Sequence, residues 1–218
     1  MNEQRKPSFG AGYKHGYIFG RLSTPSNTVS VKSLMNYRRT DQSRRWGYWN
    51  TPLSHYCAIK GLDIEIFLEE KAREAKERGR NLRILDVGIG SGEQWRNILE
   101  RIPNLKLIGT TLSPKSVAPG LRLKVVLSTA ATLHKKFDPG HFDVVFTNFG
   151  LHGMKFTGIE NIVHVLKKGG HAIITGDSTG QKLIGGVDSQ VERPQFYSVI
   201  AKMTRTPSDV WSYHLQKN

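Results

Sequence analysis

The chain has 218 residues, 38% of them hydrophobic, which is enough for one well-buried α/β core and too few for two. Cys57 is its one cysteine, so an internal disulfide framework and a cysteine-based zinc site are excluded, and no metal site is expected. With a net charge of +14 and no apolar run near the roughly 18 residues of a membrane span, the chain is expected to be intracellular, in the simplest case cytoplasmic, with nucleus and mitochondrion open.

Residues 1–45 are rich in Gly, Ser, Asn, Arg and Tyr and show no sustained period, which predicts a flexible basic arm ahead of a single domain over 46–218. Residues 1–60 hold ten Lys and Arg against only Glu3 and Asp41, so the arm is the most basic part of the chain and a candidate grip for RNA or another polyanion. Its composition also fits a mitochondrial transit peptide, but Gly10, Gly12, Gly16 and Gly20 spoil an amphipathic helix. Arg44 and Arg45 then lead into Trp46, Tyr48 and Trp49, an interleaving of arginine and aromatic rings that suits stacked bases and phosphates.

From Leu53 to Arg78 the apolar positions Ile59, Leu62, Ile66 and Phe67 recur at helical spacing, and Gly79 ends the pattern. Short apolar runs near 83–87, 106–110, 123–127, 142–147 and 171–175 follow, alternating with helical patterns near 92–102, 129–136 and 158–168. Such alternation predicts a mostly parallel sheet. Two further β-rich runs, 196–203 and 210–216, flank the turn-like Thr206, Pro207, Ser208 and Asp209 and predict an antiparallel hairpin at one edge. The expected fold is thus α/β, a three-layer sandwich around a seven-stranded sheet.

The segment Leu85-Asp86-Val87-Gly88-Ile89-Gly90-Ser91-Gly92 is an apolar strand running into a loop with glycine at every second position, with a helical pattern behind it. Glycines let a ligand approach the backbone, and the free N–H groups of a helix start attract an anionic group such as a carboxylate. A dinucleotide loop wants Gly-x-Gly-x-x-Gly, whereas here the third glycine comes one residue early and position 93 is Glu.

In these residues the chain resembles the class I, Rossmann-like S-adenosylmethionine (SAM) methyltransferases, whose first motif is an apolar strand, an acid and Gly-x-Gly-x-Gly. Phe142 to Phe146 resemble that family's fourth strand, and Val165-Leu166-Lys167-Lys168-Gly169-Gly170 the turn before its fifth. The resemblance implies SAM as cofactor, with Asp86, Gly88, Gly90 and Gly92 around its methionine end and Asn148 and Phe149 beside the reactive methyl. Tyr48 and Trp49 lie in a stretch similar to the lid segment of small-molecule members. The second strand ends in Thr110, Thr111 and Leu112 without the usual ribose-binding acid, and no Asp or Glu lies between Glu100 and Asp138. This ending is similar to the cyclopropane fatty acid synthase and tocopherol methyltransferase branches, which implies Thr111 as the ribose partner.

The exit of the fourth strand lacks the prolines of the enzymes that methylate exocyclic amines and the acid of the ribose 2′-hydroxyl enzymes, and Cys57 lies outside every motif. Phe149-Gly150-Leu151-His152 resembles a stretch of small-molecule methyltransferases, which makes His152 a candidate base for a hydroxyl or amine. The expected acceptor is therefore small or lipid-like. Two other readings stay open: an RNA methyltransferase gripping RNA with the basic arm, and an inactive methyltransferase-like scaffold that binds RNA or a ribonucleoprotein.

Overall fold

The computed structural model describes residues 53, 56–57, 59–112, 114–148, 157–177, 196–203 and 210–218. The arm 1–45 and the aromatic stretch around Tyr48 and Trp49 lie outside the described residues.

Helix α1 spans Ile64–Glu77. It begins at Ile64 rather than near Leu53 because Asp63 caps it, its Oδ1 accepting from the N–H groups of Glu65 (2.8 Å) and Ile66 (3.2 Å). Gly79, at a φ of 67°, follows its end. The helix buries Ile64, Phe67, Leu68, Ala72 and Ala75, whereas Ile66, expected on the apolar face, is 57% exposed. Cys57 lies before the helix and is buried.

Five strands follow as the alternation predicts: β1 (Leu82–Val87), β2 (Leu105–Thr111), β3 (Leu123–Leu127), β4 (Phe142–Asn148) and β5 (Leu166–Asp177). β6 (Tyr197–Met203) and β7 (Val210–Lys217) form the antiparallel hairpin. The sheet order is β3-β2-β1-β4-β5-β7-β6, parallel from β3 to β5, with β7 antiparallel to β5 and β6 at the edge. A parallel sheet buried on both faces needs apolar strands throughout, and β4 is buried at every position but its last.

One face packs on α1, Trp95 and the short helix α2 (Arg96–Arg101); the other packs on a short 3₁₀ segment, Ala130–Lys135, and helix α3 (Thr157–Val165). The crossovers are leaner than the sequence patterns predict. The run at 92–102 divides into a 3₁₀ turn, Glu93–Trp95, and α2, and the run at 129–136 is 3₁₀ only. Between β2 and β3 the connection holds only the turn Pro114–Ser116, since Pro119 and Gly120 leave no room for a helix. The run at 158–168 stops being helical at Val165, because Leu166 already pairs with Phe142. Lys167 to Gly170 then form an irregularity opposite Asp143, with Gly169 at a φ of 72° and pairing resuming at His171 with Val144.

α1 is clamped to the hairpin side of the sheet by two histidines. His171 Nδ1 of β5 and His214 Nε2 of β7 are 3.0 Å apart, and the ring of Phe67 stands edge-on to both at 5.5 and 5.6 Å. Burial lowers the proton affinity of both imidazoles, that of His171 to about 4, so the pair is neutral at neutral pH.

At Gly109 of β2 an added Cβ would lie 2.6 to 3.0 Å from the side chain of Ile89, which is buried against the strand. Gly109→Ala is therefore expected to lower stability by about 1–3 kcal/mol. The check is urea denaturation: a lower midpoint at unchanged slope is expected, and wild-type stability would show that the glycine loop has slack.

Candidate active site

The order of strands reverses between β1 and β4: the chain proceeds outward from β1 to β3 on one side, then restarts with β4 on the other. At such a switch point the two following connections diverge and leave a crevice at the carboxyl ends of the strands. Asp86 and the glycine loop end β1, and Thr147 and Asn148 end β4, with Asp86 in register with Phe146.

The loop is held to β2. The carbonyl of Thr110 accepts from the N–H groups of Gly88 and Ile89, both at 3.0 Å, and its hydroxyl accepts from Gly88 N at 3.3 Å. Gly88, Gly90 and Gly92 sit at φ of 82°, 62° and 76°, a left-handed conformation that side chains disfavour and that folds the backbone back over the strand end. Thr110 is fully buried and scaffolds the loop, Thr111 is buried at the end of β2 and Leu112 is half-buried behind it.

Asp86 is fully buried. Its Oδ2 accepts from the hydroxyl of Tyr56 (2.9 Å) and the indole N–H of Trp95 (2.6 Å). Gln94 Nε2 donates to the Tyr56 hydroxyl at 2.5 Å and to the carbonyl of Ile89 at 3.0 Å. Burial pushes the Asp86 carboxyl up to about 7 against the opposing hydrogen bonds from Trp95, Tyr56 and Gln94. Burial, then the Asp86 charge, raise the Tyr56 phenol well above its ordinary range, so it remains a donor.

Among the described residues, four buried side-chain oxygens here have no hydrogen-bond partner: Asp86 Oδ1, Gln94 Oε1, Thr147 Oγ1 and Asn148 Oδ1. Each buried polar atom left unpaired costs about 1–3 kcal/mol, and native proteins keep few of them. Their grouping at the ends of two neighbouring strands and the turn after β1 marks a place that accepts hydrogen bonds from a ligand.

Of the residues singled out in the sequence, the fold groups Asp86, Gly88, Gly90, Gly92, Thr110, Thr111 and Asn148 at one end of the sheet. Tyr48, Trp49, Phe149 and His152 lie outside the described residues. The sequence reading missed Tyr56, Gln94 and Trp95. Trp95 and Gln94 sit in a stretch read as an ordinary helix start, and nothing in the local pattern marks Tyr56, thirty residues from its carboxylate. No cluster of three or more His, Cys, Asp or Glu side chains arranged for a metal occurs among the described residues.

Residues 84–170 match the model of a family described as a methyltransferase domain. Among solved structures, the fold is similar to the [4+2]-cyclase SpnF, with a TM-score of 0.54, 16% identity, and 71% of this chain and 79% of that one covered. It is also similar to a TehB-like SAM-dependent methyltransferase from Corynebacterium glutamicum, at 0.50 and 18%, covering 72% of this chain and 90% of that one. The N-methyltransferase NodS from Bradyrhizobium japonicum, in complex with S-adenosyl-L-homocysteine, shares the fold at 0.50 and 14%, covering 85% and 97%. No curated protein matches the chain by sequence.

The raised Asp86 carboxyl has a consequence for stability. Because its folded-state value of about 7 lies above the ordinary 3.8, the folded protein holds this proton more tightly than the unfolded chain. That stabilisation is complete below the ordinary value and is lost as pH rises toward about 7. Asp86→Asn removes the titration, so stability relative to wild type should shift in favour of Asn by about 2–4 kcal/mol between pH 4 and pH 8. Chemical denaturation of both proteins across that range reads it, and a pH-independent difference would show that Asp86 is not strained by burial.

Proposed function

We propose that this class I, SAM-dependent methyltransferase acts on a small or lipid-like acceptor, with the donor seated at the switch point between β1 and β4. The observation that carries this reading is the set of four unpartnered buried oxygens there. They suit a ligand that brings donors, and the methionine end of SAM carries a cationic amine. SAM supplies, when bound, a methyl group on a sulfonium that needs little further activation.

In this reading Asp86 Oδ1 and Gln94 Oε1 accept from the cofactor's amine, while Tyr56 and Trp95 keep the Asp86 carboxylate oriented through its other oxygen. Gly88, Gly90 and Gly92 let the ligand approach the loop backbone. Thr111, at the end of β2, serves the ribose hydroxyls in place of the missing acid, since its hydroxyl both donates and accepts, and Leu112 serves the adenine side. At the end of β4, Thr147 and Asn148 offer oxygens to a donor on the acceptor, which aligns its lone pair with the methyl. Alignment and exclusion of water then supply most of the rate gain. Phe149 borders the methyl, Tyr48 and Trp49 cover it, and His152 takes the acceptor's proton where the acceptor has one to lose.

Calorimetric titration of the full chain with SAM and with S-adenosyl-L-homocysteine tests the cofactor before any acceptor is known. Saturable binding in the micromolar range, lost in Asp86→Ala, is the expected result; folded protein that fails to bind near millimolar cofactor would sink the reading. Since the carboxyl titrates at about 7 and must be ionised to meet a cationic amine, affinity should rise about tenfold from pH 6 to pH 8. In Asp86→Asn that rise should vanish, and a persistent rise would place the titrating group elsewhere.

A further inference from the structure

In a parallel sheet, residues in register on neighbouring strands project from the same face. Arg83 is the one exposed residue of β1, and its register partner on β2 is Lys106, also exposed. Lys124 of β3 is exposed and pairs with Ile108, two residues beyond Lys106. The three cations therefore stand on one face of three adjacent strands, spaced by roughly 5–7 Å along and across the sheet. Among the described residues none of the three is ion-paired with a carboxylate.

Farther along the strands this same face is covered by Ala130, Leu133 and α3, which pack on Leu85 and Val87. Toward the amino ends of the strands no described element covers it, because the crossover from β3 to β4 contributes one short 3₁₀ segment. Beside the cations lie two rings: His141, half-buried, is 6.1 Å from the ring of Phe137 at a tilt of 34°, and Phe137 in turn stands edge-on to Phe142 at 5.0 Å. Burial, then the charges of Arg83, Lys167 and Lys124, hold the His141 imidazole below its ordinary value, with Asp138 opposing. The ring is thus neutral at neutral pH and sits in a positive field. The neighbouring acid Asp143 is already matched, accepting from Arg80 (2.8 Å), from Lys167 (3.0 Å) and from the backbone N–H of Arg83 (2.8 Å).

We infer that this face, formed by Arg83, Lys106, Lys124 and the ring of His141, is a docking surface for single-stranded nucleic acid, the cations meeting phosphates and the ring meeting a base. Cations interleaved with an accessible ring are what such a strand recognises. Of the exposed large apolar side chains of the described residues, Ile66 is on α1, Phe196, Val199 and Ile200 are at or beside β6 on the far edge of the sheet, and Leu127, three residues from Lys124, is on the other face of β3, so none stands among the three cations as an anchor for a membrane or a protein partner. Arg83 lies about 16 Å along β1 from the glycine loop, at the end of the sheet opposite the switch point. A strand bound there is a tether that leaves the cofactor end open, so the inference is independent of which acceptor is methylated.

The test is fluorescence anisotropy of a labelled 20-nucleotide oligouridylate titrated with the full chain. Replacing Arg83, Lys106 and Lys124 together by Ala should weaken binding at least tenfold at 0.1 M salt and flatten the dependence of log affinity on log salt by about two to three. A control that removes equal charge elsewhere, Lys60→Ala with Arg73→Ala and Lys76→Ala, should stay within twofold of wild type. His141→Ala should cost several-fold in affinity while leaving the salt slope unchanged, as expected of a stacking ring. Circular dichroism and the thermal midpoint establish that each variant is folded. Equal losses in the two triple variants would assign the effect to net charge, and wild-type binding by the first triple variant would assign it to other residues; either result overturns the inference. So would binding to phosphatidylserine vesicles by a chain that leaves the oligonucleotide free.

Discussion

Burial of one carboxylate organises the upper end of this molecule. Asp86 ends the central strand of the parallel set and draws two donors from elements on either side of it: Tyr56 from the segment before α1 and Trp95 from the turn after the glycine loop. The rings of Tyr56 and Trp95 stand edge-on to each other and to Phe146 of β4, at 5.5 to 6.1 Å. The carbonyl of Tyr56 accepts from Thr175 of β5, whose hydroxyl is 2.7 Å from that of Ser212 on β7. A single network thus runs from the upstream segment through β1 and across to the hairpin. A buried charge that satisfied all its acceptor capacity internally would be a structural device only. Here one oxygen is left over, and a buried carboxylate with a free oxygen and a value near neutrality is equipped to meet a cation.

The lean crossovers are the second organising feature. A doubly wound sheet normally clothes its outer strands with full helices, but here the described connections on either side of β3 hold only short 3₁₀ segments. β3 is accordingly half-covered along its length, and the amino ends of β1 to β3 show their cations to solvent. The same economy that leaves the sheet thinly dressed creates a charged face apart from the switch point. Fold and chemistry separate along the strand axis: among the described residues, the carboxyl ends hold the unpartnered oxygens and the amino ends hold the cations without a carboxylate partner. That division matters because the fold is shared by proteins of different chemistry, a [4+2]-cyclase and an N-methyltransferase among them, so activity is argued from the site rather than from the sheet.

Every strand was legible in the residue pattern, and boundaries moved by few residues except at β5, because apolar β-rich runs bounded by glycine and proline carry their own signal. The helices were less legible. The runs at 92–102 and 129–136 have helical spacing, but the first opens with a 3₁₀ turn before α2 and the second folds wholly as 3₁₀, since the short connection between fixed strand ends limits how many residues can wind. The glycine loop was readable for the opposite reason: its backbone conformation demands glycine at three alternate positions, and that demand is written into the composition.

The sequence by itself determined the α/β alternation, the edge hairpin, the glycine loop with its acid and the excess of positive charge, all of which are properties of neighbouring residues or of simple counts. Only the tertiary structure decided that Asp86 is held by Tyr56 and Trp95 with one oxygen unpartnered, that Thr110 braces the loop, and that Arg83, Lys106 and Lys124 share a face. Those facts depend on strand register and on which connection crosses which face, and they bring together residues as far apart as Tyr56 and Asp86, thirty positions, through contacts that leave no trace in local pattern.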